Sequence, residues 1–348
     1  MGMLALLWAA DDRPRLHALP LEFRNLKTGP AVGAHIPPLD VTDSAGVHQN
    51  FDTLKGPKGL VLLFVRSAAW SLACQNQLTD LDRHAGEFRK KGLGVAAISY
   101  DSGAVLGEFA EKQKITMALL SDPGSRVMTA FGILNPNLAP AGNAWGTPFP
   151  GTFMVDERGM VTAKYFHDDP GERFSAAAIL AHEFMTDGMA RVMIDTPQLT
   201  LTYSVSDAQV TPGTRISLLI DIDPKPKMHV FAPGAPGYFP VEWQMGASRG
   251  GTSGFSTAGW VTFPLIYPAG RSMKLPAIGE TVPSYDRHIR LVRDVVIGQE
   301  NEIAPVLTPG RSVALEGAFR YQACDEKECF LPRSLLLHWS VNVRGSSF

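Results

Sequence analysis

Cysteine is the residue type with the most chemistry to offer in this chain, and it is used sparingly: Cys74, Cys324 and Cys329 are the three among 348 residues. The last two flank the polar spacer Asp325-Glu-Lys-Glu328 between two strand-like runs. A tight connection there would bring their Cβ atoms within bridging distance. A bridge closing so short a loop removes little entropy from the unfolded chain, so reversible redox chemistry is a better use of the spacing than stapling. Structural zinc needs four ligands; there is no second cysteine pair, and His338 alone would not complete the shell. Thiol–disulfide exchange needs no metal or organic cofactor, because the thiols carry the electrons. The acidic spacer reads as a solvated turn, although its charge disfavours a neighbouring thiolate.

Cys74 lies in Trp70-Ser-Leu-Ala-Cys74, where an apolar strand gives way to a helix. Ser71 stands three residues before it, and Arg66 is near enough in sequence to supply charge. Two readings of Cys74 stand side by side: a reactive thiol, or a small hydrophobe buried on an amphipathic helix. His84, His167 and His182 have no serine or cysteine motif tying them together, so they read as surface or core residues.

The elements that must position these groups fall into two blocks. From about Val41 to Phe184 strands alternate with helices, beginning with the apolar run Gly59-Leu-Val-Leu-Leu-Phe-Val65 and a helix from Trp70 to Lys91. A hairpin over Gly151–Asp156 and Met160–Phe166 and a closing helix over Glu172–Phe184 complete a mixed α/β sheet. Beyond residues 186–196 short strands broken by Gly and Pro predict an all-β sandwich. The expected organisation is a tail over residues 1–25, an α/β domain over 26–188 and a β-sandwich domain over 196–348.

At 45% hydrophobic and 19% charged residues the chain can build two cores, and its net charge of −2 argues against a nucleic-acid or polyanion partner. No apolar run approaches the ~20 residues that span a bilayer. Met1-Gly-Met-Leu-Ala-Leu-Leu-Trp-Ala-Ala10 is apolar but lacks a basic flank, leaving open a trimmed secretory signal or a simple tail.

Phe64-Val-Arg-Ser67, then Trp70 to Cys74, then a proline before a later strand, resembles the thioredoxin superfamily and its redoxin and peroxiredoxin-like (AhpC/TSA) branch, over roughly residues 30–185. That likeness implies a thioredoxin-like fold and a cis Pro150 facing the site. In Trp-Cys-x-x-Cys members the first cysteine is the nucleophile; here that position is Ser71, so ordinary dithiol exchange is lost. Peroxiredoxins carry Pro-x-x-x-Thr/Ser-x-x-Cys. Ser71-Leu-Ala-Cys74 matches the latter half, but the proline position is Ser67. The arginine they place before the next strand is absent from Phe149-Pro150-Gly151.

Tyr321-Gln-Ala-Cys324 through Cys329-Phe-Leu-Pro332 resembles the N-terminal periplasmic domain of the DsbD family of thiol:disulfide interchange proteins, over about residues 196–348. That likeness implies an immunoglobulin-like sandwich, an exchanging Cys324–Cys329 pair, thioredoxin-fold partner proteins and a periplasmic or secreted location. It also implies an aromatic cap, for which His229-Val-Phe231 through Tyr238-Phe239-Pro240 is the candidate, with Tyr321 beside the pair. The leading expectation is a thiol–disulfide oxidoreductase working through Cys324 and Cys329. The rivals are a thiol peroxidase using Cys74, with the C-terminal pair regenerating it within the chain or between chains, and a thioredoxin-fold binding protein without chemistry. Oligomeric state is not legible.

Overall fold

The structure is a computed structural model that describes residues 28–135, 146–166, 171–246, 259–275 and 280–345. The N-terminal segment Met1–Ala10 and His167, both discussed above, lie outside the described residues.

The N-terminal part comprises β1 (Asp40–Asp43), β2 (His48–Asn50), α1 (Phe51–Leu54), β3 (Gly59–Phe64), α2 (Leu72–Lys90), β4 (Leu93–Ser99), α3 (Gly103–Gln113), β5 (Ala118–Ser121), α4 (Arg126–Phe131), β6 (Gly151–Val155), β7 (Val161–Phe166), β8 (Arg173–Phe174) and α5 (Ala176–Phe184). One mixed sheet runs β2-β1-β5-β4-β3-β6-β7, with β3, β4 and β5 parallel and β6 antiparallel to β3. Strand β3 is buried on both faces, as its unbroken apolar run predicts. One core lies between the sheet and α2 and α5, and another on the opposite face around Phe64, Phe131 and Phe153. Helix α2 is helical because Cys74, Leu78, Leu81, Ala85 and Phe88 recur at three- and four-residue spacing, all buried on the sheet. It ends where Gly92 takes φ +87°, which a residue with a Cβ resists.

Two segments differ from expectation. The closing helix does not begin at Glu172. Ser175 caps it, accepting a hydrogen bond from the Ala178 N–H at 3.0 Å, and the two residues before the cap form β8. Their backbone groups pair with another strand, so they cannot also complete a helical turn. Similarly, Met189–Asp195, expected as a boundary, is strand β9, antiparallel to β10.

The C-terminal region is β-rich. It contains β9 (Met189–Asp195), β10 (Leu199–Val205), β11 (Gln209–Val210), β12 (Thr214–Pro224), β13 (His229–Phe231), β14 (Glu242–Met245), β15 (Trp260–Thr262), β16 (Arg271–Leu275), β17 (Glu280–Tyr285), β18 (Ile289–Ile297), α6 (Glu300–Ile303), β19 (Ser312–Tyr321), β20 (Ala323–Cys324) and β21 (Arg333–Val343). Sheets β15-β18-β12-β10-β9 and β11-β21-β19-β14 share one core, with Leu201, Leu218 and Ile220 from the first meeting Leu315, Phe319 and Trp339 from the second. A third sheet, β16-β17-β13-β20, carries Cys324. No described helix is long and apolar enough to cross a membrane.

The two blocks are joined through more than the chain. Strand β8 pairs in parallel with the start of β12, Arg173 opposite Thr214 and Phe174 opposite Arg215. It takes the stretch of β12 that β10 leaves unpaired, since β10 reaches only from Leu218 to Pro224. Helix α5 lies against the same sheet, Ala181 meeting Leu219 and Val292. Beneath it Asp294 accepts hydrogen bonds from Arg215 Nε at 3.0 Å, Ser217 Oγ at 2.8 Å and His182 Nε2 at 2.8 Å. Burial opposes ionisation of Asp294, but His182⁺ and Arg215 outweigh it and hold the carboxyl well below the usual range.

Removing one member of this cluster strands buried charge. Asp294→Ala should destabilise the protein by about 3–5 kcal/mol, read as a lower urea midpoint. The pKa of His182 is raised, so its stabilising share is present below the ordinary imidazole range and lost as pH climbs through the folded value. In Asp294→Ala that pH dependence should flatten.

Candidate functional site

The chain leaves β3 at Phe64 and crosses the top of the sheet to α2 through Val65–Ser71. Ser67, at the expected proline position, builds this crossing by other means. Its hydroxyl accepts hydrogen bonds from the Ala69 N–H at 2.9 Å and the Trp70 N–H at 3.3 Å, and donates to Asp101 at 2.9 Å. Asp101 also accepts from the Ala68 N–H at 2.6 Å. A short polar side chain has replaced the rigid ring with a hydrogen-bonded turn. Trp70 closes the outer side, half exposed, its indole N–H donating to the Tyr100 hydroxyl at 2.8 Å.

Cys74 sits in the first turn of α2, where unsatisfied N–H groups and the helix dipole favour a thiolate. Its side chain is completely buried. The sulfur accepts from the Arg66 backbone N–H at 3.4 Å and from an Arg173 guanidinium nitrogen at 3.5 Å. Ser71 Oγ hydrogen-bonds it as well and itself accepts from the Arg66 guanidinium at 3.1 Å. Burial alone would push the thiol up. The Arg173 charge, with the hydrogen bonds from Ser71, Arg173 and Arg66, overcomes this and brings it down to about 7. The arrangement can keep a sulfur nucleophile partly ionised near neutral pH while hiding it from bulk solvent.

Arg173 is the candidate site residue that no sequence signal pointed to. It is not in the position before β6 where family likeness looks for an arginine, but in β8, and it is 6% exposed. Arg66, near enough in sequence to supply charge, meets the sulfur through its backbone while its guanidinium holds Ser71. Pro150 is a correction. No described peptide bond is cis, because the approach to β6 is set by backbone pairing: the Phe149 N–H donates to Ile133 O at 2.8 Å, and Pro148 bridges Leu134. Neither His84 nor His182 reaches the thiol. His84 is hydrogen-bonded to Asp80 O at 2.9 Å, and His182 belongs to the Asp294 cluster.

The other two cysteines form a disulfide. Asp325 shapes the turn between them, its carboxylate accepting from the Lys327 N–H at 2.7 Å and the Glu328 N–H at 2.8 Å. Cys324 is buried with Phe231, Ala235 and Val282, and Phe231 stacks on Tyr238 at 4.2 Å. Cys329 is exposed. The aromatic loop thus packs with one end of the bridge and leaves the other open. Tyr321 is not beside it: one step along the alternating strand from Gln322, it points into the main core and donates to Thr196 Oγ1 at 3.2 Å.

Strand β12 spaces the two centres. Its first residue, Thr214, is opposite Arg173, while its far end turns back into β13, where His229 is opposite Cys324. Ten steps of ~3.3 Å separate those ends by roughly 33 Å. A strand of that length sets the pair apart from Cys74 within one chain, which favours the between-chain form of the relay allowed from sequence. Among the described residues no group of three or more His, Cys, Asp or Glu could hold a metal ion.

Residues 32–164 match the family model for the AhpC/TSA family. A putative peroxiredoxin of Mycobacterium tuberculosis is 31% identical over 134 residues, covering 38% of this chain and 83% of that protein. Alkyl hydroperoxide reductase C of Staphylococcus aureus is 29% identical over 136 residues, covering 38% of this chain and 66% of that protein. Among solved structures, a peroxidoxin of M. tuberculosis shares 22% identity with a TM-score of 0.37, covering 44% of this chain and 91% of that one. The family match ends before Arg173 and takes in none of the C-terminal β-rich region. Through its thioredoxin-like part the chain belongs to the AhpC/TSA family.

Proposed function

We propose that Cys74 is a peroxide-reducing thiol. The observation that carries this reading is the sulfur's environment: buried, at a helix N-terminus, accepting hydrogen bonds from the Arg66 N–H and the Arg173 guanidinium. In the reaction the Cys74 thiolate attacks one peroxide oxygen, the O–O bond breaks and an S–O bond forms. The electron pair leaves on the second oxygen, which takes up a proton as water or an alcohol. Arg173 stabilises both the attacking sulfur anion and the charge shifting to oxygen. The resulting sulfenic acid returns to the thiol at the expense of two electrons from an external thiol reductant.

A second reading is favoured by the asymmetric exposure of the disulfide. Its exposed Cys329 sulfur can be approached by a partner thiolate, while the buried Cys324 leaves as the thiolate. This supports the DsbD-like, immunoglobulin-like identity expected for the C-terminal region, with thioredoxin-fold proteins as partners and an oxidising periplasmic or secreted setting. Given the distance between the centres, Cys324 and Cys329 would serve Cys74 only between molecules.

Hydroperoxide consumption should rise with pH as Cys74 ionises around 7 and level off above it, and Cys74→Ser should abolish it. Arg173→Met should lift the thiol to at least its ordinary value, cutting the thiolate fraction at pH 7 and the rate by about 15-fold or more. Activity that survives Cys74→Ser would sink the peroxidase reading. For the disulfide, differential alkylation across a redox titration should show Cys324 and Cys329 reduced as one couple above about −300 mV. A pair that resists reduction below that value is structural.

A further inference from the structure

The arginine beside Cys74 belongs to the N-terminal part by sequence, yet its backbone is held by the C-terminal region. Within β8 the Arg173 N–H donates to Gly213 O at 2.9 Å, and just after it the Ser175 N–H donates to Arg215 O at 2.9 Å. Gly213 is itself tied inward, its N–H donating to Ile297 O of β18 at 2.8 Å. The next turn is fastened by a side chain: Ser175 Oγ donates to buried Asp207 Oδ2 at 2.6 Å. Between these ties Phe174 lies under the Arg215 guanidinium, 4.4 Å from its ring centre. Two residues of strand would hold little by themselves, and here they are gripped at both ends, at the Arg173 N–H and at Ser175.

We propose that the C-terminal region completes the thiol site, with Gly213 and Asp207 as positioning residues that hold Arg173 against Cys74, so that loosening this edge disarms the thiol. The inference rests on reading Cys74 as the reactive group. It assigns the β-rich region a task apart from its disulfide, and it makes Cys74 reactivity responsive to anything that shifts that region relative to α2. A guanidinium displaced by a few ångströms loses its hydrogen bond to sulfur and much of its attraction, while the burial that disfavours the thiolate remains.

Gly213 offers a way to disturb this edge without touching the thiol. Its φ is +79°, and a Cβ there would stand 2.4 Å from Gly171 O, on the segment leading into Arg173. In the full-length protein with its disulfide intact, thiolate ultraviolet absorbance titrates Cys74 alone. Gly213→Ala should raise the thiol pKa by about one unit or more and slow hydroperoxide reduction near pH 7 by about fivefold or more. Asp207→Ala, which leaves the backbone unaltered, should shift it in the same direction. In an Arg173→Met background Gly213→Ala should add no further shift, because the arginine through which it acts is gone. An equal rise in that background overturns the proposal. So does an unchanged pKa in a folded variant whose Arg173 and Ser175 amides exchange faster with solvent. A wild-type pKa near that of free cysteine would instead defeat the reading of Cys74 itself.

Discussion

A sulfur buried in an apolar core ionises near neutral pH only if positive charge is buried with it, and the arrangement around Cys74 follows from that constraint. The helix terminus and the Arg66 N–H supply partial charges, but the full charge comes from Arg173. An arginine taken so far out of water needs its own backbone held and its other nitrogens satisfied. One of them donates to Glu172 O at 2.6 Å, and the Arg173 and Ser175 N–H groups are tied to Gly213 O and Arg215 O at the start of β12. The join between the two blocks is thus an electrostatic requirement of the site as much as a packing contact.

The same logic governs the rest of the join. The buried apolar cluster between α5 and the sheet is small, made of Ala181, Leu219 and Val292 among the described residues. Much of the specificity is carried by buried polar groups: Asp294 with Arg215 and His182, and Asp207 with Ser175 and Ser206. Burial and the nearby Asp80 charge push Asp207 up to about 6 despite two hydroxyl donors. Such groups add little net stability compared with apolar packing, but they tolerate few alternative dockings. That suits a join whose register places a guanidinium on a sulfur.

The two sulfur centres meet different physical demands. Cys74 is shielded on all sides and tuned by charge, whereas the Cys324–Cys329 bridge is set in a small sheet with one end in an aromatic cluster and the other in solvent. A hidden, charge-stabilised thiolate suits small oxidants; a half-open disulfide suits a protein thiol that must approach along a line with the S–S bond. The length of β12 sets the two apart within one chain.

Sequence alone determined what local pattern controls. The apolar run of β3, the three- and four-residue spacing on α2 and the alternation along β19 and β21 each specify an element, because one face of each must be buried. Family likeness added the thioredoxin-like order, and the Ser71–Cys74 spacing marked the thiol. What sequence could not deliver was anything decided by pairing over distance. Arg173 and Phe174 look like the start of a helix until β12 offers them a ladder; Pro150 looks like a site-facing cis proline until the Ile133–Phe149 pairing sets its approach. No local signal ties residue 173 to residue 74, since the backbone and side-chain ties of that segment run to Gly213 and Asp207, in the connections flanking β11, which the intervening chain must first fold to present. Only the tertiary structure could decide where the thiol's counter-charge comes from.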